Sequence, residues 1–150
     1  MARDRGGARS RQRARELLVK ALYQWQLAGH SAAEIMRQFA AEDGFERCDR
    51  DYFEALLATV IDNVATLDER IASQAARGLD QLDAVGRAIL LLALAELKFR
   101  DDVPTKVVIN EAVELAKRYG AAESYKFVNA LLDRTARELQ RGAPPAKAKA

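Results

Sequence analysis

Cysteine and histidine are almost missing from this 150-residue chain, with Cys48 and His30 the only examples of each. A disulfide framework needs two cysteines, a Cys/His zinc site needs several ligands, and Ser-His-Asp or Cys-His-Asn machinery needs parts that are not here. Reduced, cytoplasmic surroundings fit such a composition. Proline is scarce too, three residues with two of them adjacent at Pro144 and Pro145, and eight glycines leave few obligatory turns. Long hydrophobic runs are also lacking. The longest, Ala88 to Ala95, is eight residues, against roughly 20 for a bilayer-spanning helix, so no membrane segment is expected. The arginines near the N-terminus precede no apolar stretch with a small-residue cleavage site, which argues against a secretory leader. An Arg-rich transit peptide is excluded because Leu17 to Trp25 continues as a core-forming helix. With no Gly-rich phosphate loop either, no cofactor is expected.

What the chain does have is alanine, leucine, glutamate, arginine and lysine, the helix formers, and 49% hydrophobic residues overall. These imply an all-α fold with one core, organised as a single domain over 9–141 between basic termini at 1–8 and 142–150 that are expected to be disordered. The formal net charge of +2 conceals an uneven distribution. Residues 1–20 carry six Arg and one Lys against Asp4 and Glu16, a local +5, and Lys147 and Lys149 add two more near the C-terminus, which leaves residues 21–141 at −5. A basic arm on an acidic body suits a localised anionic partner, because the body repels extended polyanion contact.

Hydrophobic spacing organises the chain into six expected helices. Ala14, Leu17, Leu18, Ala21, Leu22 and Trp25 make one buried stripe on a first helix from about Arg9 to Ala28, stopped by Gly29. Ser31 with Glu34 forms a capping box for a short second helix ending near Gly44. Asp49 suits the cap of a long third, whose apolar residues Phe53, Leu57, Val60, Val64, Leu67 and Ile71 step by fours and threes up to Gly78. A fourth from Val85 to Phe99 is apolar nearly all round and belongs in the centre. Pro104 suits the first turn of a fifth, and Asp101 and Asp102 are read as its caps. The sixth runs from about Glu123 to Gln140 and buries Val128, Leu131, Leu132, Thr135 and Leu139.

The candidate chemistry is binding, and no catalytic residue is expected. Arg9, Arg11, Arg13 and Arg15 resolve on a helix into two i, i+4 pairs, a pattern that destabilises the helix start by repulsion and by opposing its dipole unless an anion relieves it. Arginine-rich segments of this kind fold on RNA. Lys126 and Phe127 pair a cation with an aromatic off the apolar stripe, which suits phosphate binding and base stacking on single-stranded RNA. Trp25, on the stripe, is read as core. Glu96 falls within the nearly all-apolar helix and needs a partner if buried.

Three stretches, ARELLVKALYQWQL (Ala14 to Leu27), AILLLALAELKFRDDVPTKVVINEAVELAKRYG (Ala88 to Gly120) and SYKFVNALLD (Ser124 to Asp133), closely resemble the NusB transcription antitermination family. The motifs ALYxW, DVPxKVxINEAVELAK and KFVNxxLD occur in the family's order, and the likeness runs from about Arg15 to Leu139, with residues 29–80 matching in pattern only. The resemblance implies two antiparallel three-helix bundles packed into one domain. It also implies a non-enzymatic factor that binds boxA-type single-stranded RNA together with the ribosomal protein NusE and joins an antitermination complex on RNA polymerase, acting on ribosomal RNA operons. By the same resemblance Arg11, Arg13, Arg15, Lys126 and Phe127 contact RNA, and Tyr23, Asp80 and Glu123 lie near the RNA and NusE surfaces.

Departures from the family pattern accompany the likeness. Gln12 stands where another arginine is common, and Tyr125 replaces a frequent histidine. Gly86, Leu91 and Ala95 stand where acidic, arginine and tyrosine side chains are frequent, which touches the partner interface. The same helical fold resembles the N-terminal domain of a ribosomal RNA cytosine methyltransferase, but no Rossmann-like glycine motif follows. The competing reading is a helical scaffold or homodimer with a nonspecific basic arm, and whether the free chain is a monomer or homodimer stays open.

Overall fold

Every regular element in the computed structural model, which describes residues 2–74 and 82–141, is helical. Asp80, Gly78 and the tail 142–150 lie outside the described residues. The helices are α1 (Ala2–Ala28), α2 (Ala32–Ala40), α3 (Arg50–Asp62), α4 (Val64–Gln74), α5 (Ala84–Phe99), α6 (Thr105–Tyr119) and α7 (Ser124–Glu138), with a 3₁₀ turn at Phe45–Arg47 before α3.

α5 is the centre, as its all-round apolar sequence requires. Ile89, Leu90, Leu91 and Ala95 are each at most 1% exposed, and α1, α3, α4, α6 and α7 all pack against it. α1, α2 and α3 form one three-helix group and α5, α6 and α7 the other, joined where α1 crosses α5. Phe39 and Phe45 close the first group by packing on the Phe53 ring at 5.7 and 5.4 Å between centroids, each such buried aromatic contributing about 3 kcal/mol by area.

Local signals explain most boundaries. Gly29, at φ 72°, ends α1 with its N–H donating to Trp25 O, a left-handed stop that suits glycine. At Ser31 the capping box is complete: the Glu34 N–H donates to Ser31 Oγ, and the Ser31 N–H donates to Glu34 Oε1. Asp49 caps α3 by accepting from the Tyr52 N–H at 3.0 Å, and Asp83 caps α5 through the Gly86 N–H at 2.7 Å. A β-carbon on Gly86 would sit 2.7 Å from Leu82 Cδ1, so a side chain there requires Leu82 to move.

Three expectations need correction. The helix expected as one piece from Asp49 to Gly78 is broken at Asn63, whose side-chain amide donates to Thr59 O and thereby competes with the backbone ladder. The interruption is one residue long, so Val60, Leu67 and Ile71 still share one buried face. Asp101 and Asp102 do not cap α6: the residue before its first turn is Pro104, with no side-chain cap, and Asp102 instead accepts two bonds from Arg100. The first helix begins at Ala2, seven residues before the expected start near Arg9.

Arg141 fastens the two ends of the second group. Gln140, at φ 58°, and Arg141 close α7 by bonds from their N–H groups to Arg137 O and Ala136 O, the paired geometry of a Schellman stop. The Arg141 guanidinium then donates to the carbonyls of Glu96, Leu97, Arg100 and Val103. These carbonyls lie in the last turn of α5 and in the turn after it, and those of Glu96 and Arg100 also accept the N–H groups of Arg100 and Val103, so the turn carrying Asp102 is held from behind.

Candidate nucleic-acid interface and an adjoining apolar groove

The four arginines of α1 meet four different fates. Arg9 is exposed. Arg11 is half-buried, its Nε 3.6 Å from Asp49 and its Nη1 3.5 Å from Asp102. Arg13 pairs with Glu16 at 3.1 Å, and Glu16 also takes Arg118 of α6 at 2.6 Å. Arg15 is only 3% exposed. The repulsion expected between the i, i+4 pairs is therefore relieved within the protein, by carboxylates from α1 itself, the α3 cap and the turn before α6.

Arg15 is the main correction to the expected RNA contacts. Its Nε donates to Glu96 Oε2 at 3.0 Å and its Nη2 lies 2.9 Å from the same oxygen. The Tyr52 hydroxyl donates to that oxygen as well. Burial alone lowers the pKa of the Arg15 guanidinium, but the Glu96 charge and hydrogen bond outweigh it and raise the pKa above its ordinary value. Burial, and then the Glu96 carboxylate, push the Tyr52 phenol up, so it remains a donor. Arg15 ties α1 to α5 and α3 from inside and presents nothing to solvent.

A second polar group gathers around the Tyr52 ring. The guanidinium carbons of Arg11 and Arg100 lie 4.3 and 4.7 Å from its centroid. Sequence reasoning missed Arg100, although its place before two aspartates could have marked it as part of a charged turn. Arg118 and Lys117, the basic last turn of α6, were missed as well. Arg118 continues the α1 arginines through Glu16, and the Lys117 ammonium sits 5.1 Å over the Tyr125 ring of α7.

Lys126 and Phe127 open α7. Lys126 is exposed and pairs with Glu123 at 2.6 Å, while Phe127 is half-buried and packs against the core. Glu123 adopts a left-handed backbone, φ 68°. Arg11 lies beside the start of α6 and Lys126 beside its end, so the two clusters stand on the order of 20 Å apart by helix rise. The acidic partners are thus part of the surface: Arg11, Arg13, Arg100, Arg118 and Lys126 each have a carboxylate against them.

Tyr23 occupies a different surface. With Val19, Leu27, Val85 and Tyr119 it lines an apolar groove between α1, the start of α5 and the end of α6. Tyr23, Leu27 and Tyr119 are 40%, 68% and 43% exposed, an apolar patch of the kind that marks a partner site. Leu91 and Ala95 are fully buried, and Gly86 is buried at the first turn of α5, so in this chain the three positions lie within the helix packing. Among the described residues no group of three or more His, Cys, Asp or Glu is placed to hold a metal, and no helix is long and apolar enough to cross a membrane. Burial pushes the Cys48 thiol up, away from the reactive thiolate.

Known proteins share this fold. The NusB family profile matches residues 12–137. A transcription antitermination protein NusB of Alcanivorax borkumensis is 48% identical over 131 residues, covering 87% of each chain, and that of Yersinia enterocolitica is 50% identical over 127 residues, covering 85% of this chain and 92% of its own. Among solved structures, T. maritima NusB superposes with a TM-score of 0.75 at 33% identity, covering 85% of this chain and 90% of that one. The solution structure of NusB from Aquifex aeolicus gives 0.73 at 27% identity over 95% and 99%. A family profile spanning most of the chain, relatives near half identity over their length and the same helical fold lead to one conclusion: the chain belongs to the NusB family.

Proposed function

We propose that this protein is a cytoplasmic transcription antitermination factor, a regulator and not an enzyme, that binds boxA-type single-stranded RNA together with the ribosomal protein NusE. In this reading it then joins an antitermination complex on RNA polymerase and acts on ribosomal RNA operons. The observation that carries the reading is the division of α1 into two faces along one helix. Arg9 is exposed at its head and Arg11 and Arg13 are about a third exposed beside the α6 start, and three turns later Tyr23 and Leu27 open an apolar groove. Polyanion affinity and protein affinity are thereby separated on one rigid element. Arg9, Arg11, Arg13, Lys126 and Phe127 are the RNA contacts of this reading; Tyr23 and the groove around it take NusE, with Glu123 and Asp80 as its further partner contacts.

The test is fluorescence anisotropy of a boxA-containing RNA and a scrambled control, each with and without NusE, at fixed salt. Selective binding strengthened by NusE is expected. With Arg15 withdrawn, four cations remain, and the slope of log affinity against log salt should be roughly −3. Equal weak binding to both RNAs, indifferent to NusE, would leave the scaffold or homodimer with a nonspecific basic arm.

A further inference from the structure

Around the head of α1 stand groups that the RNA reading leaves unused: the Asp102 carboxylate and Arg100 in the turn between α5 and α6, and the Tyr52 ring on α3. Arg100 donates from Nε and Nη2 to the two Asp102 oxygens, both at 3.0 Å. This parallel, two-point geometry is the one a guanidinium uses equally for carboxylate and phosphate. Arg11 approaches the same carboxylate at 3.5 Å and Asp49 at 3.6 Å, too far for strong hydrogen bonds, so charge holds it to the carboxylates while the Tyr52 ring packs against it. Asp102 itself is about half exposed, at 52% of its side chain, on a turn pinned from behind by Arg141. The Arg100 hydrogen bonds keep its pKa at about 2, so it is fully charged at neutral pH. Tyr52, by contrast, is 2% exposed and fixed by its hydroxyl bond to Glu96. The ring that both guanidiniums lie against therefore stays in place whether or not Asp102 holds them.

We propose that this cluster is a phosphate-exchange site, in which a backbone phosphate of bound RNA takes the place of the Asp102 carboxylate on Arg11 and Arg100. The proposal rests on the RNA-binding reading of Arg11 and deepens it. Arg100 becomes a further phosphate contact, Tyr52 a positioning residue, and Asp102 a built-in competitor. Such a competitor weakens binding to every polyanion alike and leaves base-reading contacts untouched, so it lowers affinity while leaving the preference between RNA sequences as it is. Glu123 on Lys126 and Glu16 on Arg13 show the same pairing on the rest of the surface.

The experiment measures affinity and its salt dependence for boxA and scrambled RNA with wild type, Asp102→Asn, Arg11→Gln/Arg100→Gln, and the three changes combined. Asp102→Asn should raise affinity for both RNAs roughly two- to fivefold and steepen the salt slope by about 0.7. Neither change should appear when Arg11 and Arg100 are already Gln. Tyr52→Phe, which keeps the ring, should retain the affinity that Tyr52→Leu loses at unchanged helical content. Asp102→Asn binding that is unchanged or weaker, in a protein whose wild type binds RNA, overturns the exchange site alone. A gain that persists without the two arginines also overturns it, as a general charge effect. Failure of the wild type to bind either RNA overturns the RNA reading, and the exchange site with it.

Discussion

Arg11 and Arg15 are one helical turn apart on α1, both touch the Tyr52 side chain, and both pair with carboxylates, yet they belong to different parts of the protein. Arg15 lies with Glu96 and the Tyr52 hydroxyl in an interior where side chains are at most 4% exposed. Arg11 lies against the Tyr52 ring at the surface, a third exposed, between Asp49 and Asp102. The buried pair is fixed because separating it leaves a charge in a low-dielectric interior; the surface pair is exchangeable because water or another anion can replace either partner. Residue type is the same in both places. Burial decides which arginine holds the fold and which is free to meet a ligand.

Removing one partner of the buried pair should produce the largest effect. Glu96→Ala strands the Arg15 guanidinium and is expected to lower stability by about 3–5 kcal/mol, seen as an early urea midpoint with an unchanged slope. The combined change Arg15→Met, Glu96→Leu, Tyr52→Phe removes all three polar groups together and should lie far closer to wild type, because no polar group is then orphaned. If the single and triple variants are equally destabilised, packing volume and not charge pairing explains the cluster.

How much of this contrast could be read from sequence is instructive. The helices were legible because Leu18, Leu22, Leu57, Val60, Val128 and Leu132 repeat at helical spacing, and the caps at Ser31 and Asp49 because their geometry is local. The break at Asn63 was not, since one side-chain hydrogen bond to Thr59 leaves the hydrophobic pattern intact. Arg15 stands three residues before Leu18 and seven before Leu22, on the buried stripe, a place that its grouping with Arg9, Arg11 and Arg13 obscured, whereas Glu96 among apolar neighbours signalled its need of a partner. Their pairing across 81 residues is a tertiary fact that no local pattern encodes. The acids facing Arg11 were hidden for the same reason, and Asp102 resembled a helix cap because caps and ion-pair turns favour the same residues.

The apolar groove extends the comparison to protein contacts. Tyr23→Ala and Leu27→Ala should each weaken NusE binding by about 2 kcal/mol, the loss expected of a central apolar anchor, while RNA affinity in the absence of NusE stays at the wild-type value. Titration of the ribosomal protein by calorimetry measures the first quantity and anisotropy the second. Parallel loss of both would mean that the two surfaces are not separate.

Smaller effects are expected for the arginines as RNA contacts. Arg11→Gln should reduce RNA affinity by roughly 1 kcal/mol and flatten the salt slope by about 0.7, with little change in stability. Arg15→Lys should do the reverse, keeping RNA affinity while lowering the melting temperature, since an ammonium cannot reproduce the two-point contact with Glu96. Matching RNA losses for the two variants would return Arg15 to the binding surface.

The smallest effect lies in the acid limb of stability, where the surface cluster again differs from the interior. Folding lowers the Asp102 pKa from 3.8 to about 2, chiefly through the hydrogen bonds from Arg100. A depressed carboxylate stabilises the folded state fully above its unfolded pKa and loses that contribution as pH falls through the folded value. The Asp102 contribution should therefore be intact at pH 5 and disappear between about pH 4 and pH 2. Asp102→Asn should flatten the stability profile only in that window, and only slightly, because solvent screens an exposed pair. Unfolding midpoints collected across that range in both proteins measure the difference. A flattening that extends to pH 6 would assign the titration to another group, whereas one confined to the acid window would show Asp102 engaged with its arginines in the free protein.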